Sequence, residues 1–131
     1  MSIENVVSVL KRTYGAKAYE DGLCVNANVF FDGEGITFRV TAEEGHRTKI
    51  ATDKSFGEWF DYVTFGTENY LAEIEKVCQR FGVEWDEEKQ VLSITFRRNE
   101  MTMTDAFFRM TQAVMILGKF RDGIFFENRE H

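Results

Sequence analysis

The side chains that could carry chemistry are few, and their spacing narrows what they can do. His46 and His131 are the only histidines. A nucleophile–histidine site needs a third group to orient the ring. His46 falls in the expected turn EEGH and His131 is the last residue, so neither is placed to be aimed by a neighbour. His46 reads as an exposed turn residue. Glu84, Asp86, Glu87 and Glu88 crowd together in EWDEEK. Carboxylates can hold magnesium or calcium, but this spacing matches no calcium loop and Lys89 sits beside them, so the stretch reads as a hairpin tip. FDGEGITF contains Gly33 and Gly35 between two expected strands. A phosphate-cradling glycine loop leads from a strand into a helix, so this too is a hairpin turn. Arg97 and Arg98 are adjacent in FRRNE. They could receive a small anion or an acidic partner, although such pairs are more often solvated or salt-bridged surface. Asp53, in TDKS, lies between a strand and a helix start, where its carboxylate can assist a cap. Cys24 and Cys78 fall on separate elements and read as reduced, near-core thiols. These residues give no expectation of a catalytic site, a cofactor or a metal.

The elements that must position them follow from periodicity. The chain has no proline, so Gly, Asp and Asn mark its boundaries. Ser2 can cap a first helix with Ile3, Val6, Val7, Leu10 and Tyr14 on one face and Gly15 at its end. Leu23, Val25, Ala27, Val29 and Phe31 then alternate with Asn26 and Asn28, as in a half-buried strand. Ile36, Phe38 and Val40 repeat the pattern. RTKIAT is a third and more polar strand, expected nearer a sheet edge. Ser55 and Glu58 make a capping-box pair before Phe56, Trp59, Phe60 and Val63. Thr67 can cap a further helix in which Tyr70, Leu71, Ile74, Val77, Cys78 and Phe81 share a face, and Gly82 ends it. VEW, the turn DEEKQ and VLSITF read as a hairpin. The expected fold is one α+β domain over residues 1–131, in the order α-βββ-αα-ββ-α. A βββ meander and a ββ hairpin form an antiparallel sheet with helices packed on it. The expected core includes Val25, Val29, Phe38, Val40, Leu71, Ile74, Val77, Leu92, Ile94 and Phe107.

The closing helix, starting near Thr102 or Thr104, has more apolar surface than one docking face requires. Met103, Phe107, Met110, Val114 and Leu117 recur at steps of four and three, and Ala106, Ala113 and Phe120 widen the stripe. Arg121 interrupts it before Ile124. Phe108, Met115 and Ile116 lie outside the stripe's centre, and Phe125 and Phe126 follow beyond Gly123. Either the helix is sandwiched within its own domain, or the second face meets a partner. These five residues, Phe108, Met115, Ile116, Phe125 and Phe126, are the candidate interface.

Net charge is −6, with an isoelectric point near 5.0. That balance disfavours a nucleic-acid binder held by phosphate contacts, which needs concentrated basic surface. The opening MSIENVVSVLKR has no basic region followed by a long apolar run, so no signal peptide is expected. No apolar segment is long enough for a bilayer. A cytoplasmic protein is the expectation.

The chain from about Phe38 to Phe120 resembles an uncharacterised prokaryotic and phage domain family of unknown function. In that family a T-D-D-G-like motif precedes a short helix, an F-G-V-like motif ends a second helix, and a hairpin and an apolar helix follow. The matching residues are Thr52 and Asp53, then Phe60, then Phe81, Gly82 and Val83, then VLSITF and FFRMTQAV. Lys54 and Ser55 replace the family's Asp-Gly. The resemblance implies a fold and no activity. The element order is also similar to that of type III secretion chaperones, small acidic dimers that hold part of an effector extended. The functional expectation is a non-enzymatic, acidic protein-binding or assembly module acting as a homodimer. The alternatives are a phage or mobile-element inhibitor using an acidic surface, and an enzyme with a dispersed site such as Glu84, Asp86, Arg97 and Arg98.

Overall fold

The computed structural model describes residues 17–19, 22–31, 34–64 and 70–129, with side chains at 23–25, 27, 35–60 and 70–123. The N-terminal helix expected over residues 2–15, the turn residue Gly33, the Thr67 cap, the Val29 side chain and His131 lie outside that description. The elements are β1 (Lys17–Tyr19), β2 (Gly22–Phe31), β3 (Glu34–Glu43), β4 (Arg47–Thr52), α1 (Lys54–Thr64), α2 (Tyr70–Phe81), β5 (Glu84–Asp86), β6 (Val91–Arg97) and α3 (Met103–Arg129). This is the expected α+β order of meander, two helices, hairpin and closing helix, with the short β1 added.

One antiparallel sheet takes the strands in the order β1-β2-β3-β4-β6-β5. RTKIAT is therefore not near an edge: β4 pairs with β3 on one side and β6 on the other. Its threonines make this possible. Thr48, Ile50 and Thr52 are buried, and Thr52 Oγ1 accepts a hydrogen bond from the Leu92 N–H at 3.0 Å. The polar strand thus buries a β-branched face with its hydroxyl satisfied.

Register lines the apolar residues up in rows. Leu23, Val40, Ile50 and Ile94 are successive cross-strand partners, and Val25, Phe38 and Thr52 form the next row. Helix α3 crosses this face against β2, β4 and β6. Phe107 meets Phe38 edge-on at 5.6 Å. Met110, Val114 and Leu117 are fully buried, with Ala106 and Ala113 beside them. Small residues let the helix approach closely while the large ones fill the sheet's pleats.

The helix ends correct one expectation and explain two others. Asp53, not Ser55, caps α1: its Oδ1 accepts the Ser55 N–H at 3.1 Å. Ser55 lies inside the helix, so the Ser55–Glu58 capping box does not form. At the end of α2, Gly82 takes a positive φ of 66° and the Val83 N–H donates to the Cys78 carbonyl at 3.1 Å. That is a Schellman closure, and only glycine adopts it without strain. Thr102 Oγ1 accepts the Asp105 N–H at 3.1 Å and starts α3.

Leu71 is a third correction. It was expected in the core and is 64% exposed. It follows Tyr70 by one residue, about 100° around the helix. Tyr70, Ile74 and Val77 hold the buried side of α2, which leaves Leu71 on an uncovered flank.

Helix α1 presses on the β5–β6 turn. Phe60 is fully buried at the centre of an aromatic group: it stacks on Tyr70 at 6.0 Å and Phe56 at 6.2 Å, and meets Trp85 edge-on at 6.1 Å. Gly57, one turn earlier, has no room for a side chain, because a Cβ there would overlap the Gln90 carbonyl.

Candidate protein-binding surfaces

The outward face of α3 is set by what anchors its inward face. Arg121 breaks the apolar stripe in sequence, yet it is only 7% exposed. Its Nε donates to the Trp59 carbonyl at 2.9 Å, and its guanidinium lies 4.0 Å from the centre of the Trp59 ring. A buried charge needs such partners. They fix the C-terminal half of α3 to α1. Earlier in the helix, Arg109 Nη1 donates to the Phe81 carbonyl at 3.1 Å, tying α3 to the end of α2.

With rotation so fixed, Phe108 and Met115 point away from the sheet. Phe108 is 59% and Met115 36% exposed. Thr111, between them on the same side, donates from Oγ1 to the Phe107 carbonyl at 2.8 Å, which keeps its hydroxyl on the helix. Ile116 is half-buried and packs against the core. Phe125 and Phe126 belong to α3, which runs through Gly123 to Arg129, but their side chains lie outside the described set.

The acidic tip is held for structural reasons. Glu87 accepts hydrogen bonds from Tyr70 Oη at 3.2 Å and Trp85 Nε1 at 2.6 Å. Asp86 Oδ1 accepts the Lys89 N–H at 3.0 Å and closes the turn. No metal-holding group occurs among the described residues. Glu84 and Asp86 do not converge with Arg97 and Arg98. They pair with Ser93 and Val91, so Asp86 sits at the far end of β6 from Arg97, roughly 20 Å away at about 3.3 Å per residue.

Cys24 and Cys78 are free and half-buried. Burial, then the charges of Glu84 and Glu75, pushes the Cys78 thiol above its ordinary range.

The other side of the sheet presents the alternate residues. Among described strand positions, Arg39, Arg47, Lys49 and Arg97 point outward, in register across β3, β4 and β6. Arg47, Arg97, Arg98, exposed His46 and one carboxylate, Glu43, also line a groove of about 750 Å³ where the 44–46 turn meets the 98–100 turn. Sequence reading singled out Arg97 and Arg98 but missed Arg47 and Lys49, although strand alternation already placed both opposite Thr48 and Ile50. Glu43, Glu84 and Asp86 are the described carboxylates at outward strand positions of this face. No helix among the described residues is long and apolar enough to cross a membrane. Comparison with family models, curated proteins and solved structures finds no match.

Proposed function

We propose that the protein is a non-enzymatic protein-binding or assembly module that works as a homodimer, with α3 carrying the contact. The observation behind this is the exposed pair Phe108 and Met115 on one side of a long helix. Seven residues are almost two turns, so the two groups stand about 10 Å apart on the same side. Isolated exposed apolar residues are ordinary, whereas two in helical register suit a partner helix. A second copy fits by symmetry. In an antiparallel pairing with its two-fold axis between Thr111 and Gln112, Phe108 of each copy meets Met115 of the other, as an isologous contact requires. Thioether against aromatic ring is a favourable contact. Lys119 then comes beside Thr104 and Asp105 of the other copy. Two free thiols fit a reducing, cytoplasmic setting.

Size-exclusion chromatography with light scattering over a dilution series is the test, on wild type and Phe108→Asp/Met115→Asp. Full burial of Phe or Met contributes about 1.5–3 kcal/mol. Scaled by the exposed fractions and counted for two copies, the stripe contributes about 3–6 kcal/mol to the dimer. The variant should therefore dissociate about a hundredfold to ten-thousandfold more readily and remain folded by circular dichroism. A wild type that stays monomeric throughout overturns the reading, as does a variant that still dimerises.

A further inference from the structure

We infer that the face of the sheet opposite α3 carries, at its β4–β6 end, a docking surface for an acidic peptide segment of a protein partner, centred on Arg47, Lys49 and Arg97 and the groove beside Gly45. It lies on the opposite side of the sheet from α3 and does not depend on the dimer contact.

The charges are sorted against the composition. The chain carries a net −6, yet the described outward strand positions carry Arg39, Arg47, Lys49 and Arg97 against Glu43, Glu84 and Asp86, the last two set apart on edge strand β5. Arg47 and Arg97 are direct cross-strand partners. Like charges in that position destabilise a strand pair. Their guanidiniums converge on Gly45: Arg97 Nη2 and Arg47 Nε lie 3.8 and 3.9 Å from where a Cβ would stand. Local relief is partial: Glu43 is the direct cross-strand partner of Arg47 on β3 and lines the same groove. Arg47 Nε donates to the Glu44 carbonyl at 3.0 Å, and Arg97 stands 3.9 Å from Glu100 with both side chains more than half exposed. Lys49 and Arg98 make no side-chain hydrogen bond or ion pair among the described residues. Part of the repulsion is thus retained at the Arg97 and Arg98 side of a groove that an anion can enter.

The chemistry selects the anion. Arginine forks bind carboxylates in two-point fashion. Arg47 and Lys49 are two residues apart on β4, about 6.8 Å, which is also the spacing of alternate side chains in an extended peptide. Single-stranded nucleic acid, the other extended polyanion, uses aromatic rings to stack its bases beside a positive groove. The outward described positions of β3, β4 and β6 carry no aromatic ring: between the cations lie Thr37, Thr41, Ala51, Ser93 and Thr95. A carboxylate-bearing segment fits this surface better.

Fluorescence anisotropy tests it, using a short labelled peptide of alternating Glu and Ser, with labelled oligo-dT of equal length as the other arm. Wild type should bind the peptide at low salt and release it as salt rises. Arg97→Glu should weaken peptide binding about tenfold while the melting temperature holds or rises, because opposite charges now face each other across β4 and β6. Lys49→Glu, outside that pair, should weaken binding similarly. Lys76→Glu, the same charge change on exposed α2, should alter it less than twofold. Absence of peptide binding by wild type overturns the inference. So does equal loss in Lys76→Glu, which reduces the effect to overall charge, and so does oligo-dT binding tighter than the peptide.

Discussion

Gly57→Ala should destabilise the protein, against the sign that helix propensity alone dictates. Gly57 is buried inside α1, where alanine is normally favoured by about 0.8–1.0 kcal/mol. A Cβ at this position would overlap the Gln90 carbonyl oxygen and stand 2.8 Å from both the carbonyl carbon and Gln90 Cβ. Relaxed carbon contacts lie at about 3.5–4.0 Å, so helix and turn must part by roughly an ångström. The turn resists. Gln90 already holds a φ of 57°, Asp86 clamps the Lys89 N–H, and Glu87 is bonded to Tyr70 and Trp85. Overpacking costs about 1–3 kcal/mol, and backbone as the obstructing atom puts this case at the upper end. Subtracting the propensity gain leaves a net loss of about 2 kcal/mol, or about 6–10 °C in Tm for a chain of this size. Thermal melts followed by circular dichroism read it directly. A Gly57→Ala midpoint equal to or above wild type would refute the close approach between α1 and the β5–β6 turn.

Two further predictions bear on α2. Ile74→Ala should cost about 2–5 kcal/mol in urea unfolding because it opens a cavity, whereas Leu71→Ala, three residues earlier, should stay within about 0.5 kcal/mol; the reverse ranking would show that the buried face of α2 is misassigned. Cys78 should alkylate slowly at pH values where an unperturbed thiol reacts, since thiolate is the reactive form and burial with Glu84 and Glu75 keeps the proton on. Because its folded pKa is raised, its contribution to stability is complete below the ordinary thiol pKa and is lost as pH rises through the folded one. Iodoacetamide labelling read by mass spectrometry, at the same rate as a free thiol, would refute this.

The sequence by itself determined the order of the described elements, the helix ends at Gly82 and Thr102, and most of the core. Alternation at Leu23–Ala27 and Ile36–Val40, the helical spacing of Ile74 and Val77, and Gly82 after Phe81 are local signals, and each acts within a few residues of itself. It also marked Phe108 and Met115 as a second face, because 3.6-residue geometry alone separates them from Met110, Val114 and Leu117. What needed the tertiary structure depends on partners far along the chain. RTKIAT reads as an edge because its residues are polar, and only the return of β6, some forty positions later, shows that it is paired on both sides. Leu71 and Cys78 lie on the same flank of α2 by spacing, and local periodicity does not say how far coverage extends across it. Asp53 wins the cap from Ser55 because the end of β4 delivers it to the helix start; the Asp53 N–H still bonds to the Thr37 carbonyl at 3.2 Å. Arg121 is buried because Trp59, on another helix, supplies both a carbonyl and a ring face. Arg47 and Arg97 become neighbours only through β4–β6 register, since a one-residue slip would turn one of them to the opposite face.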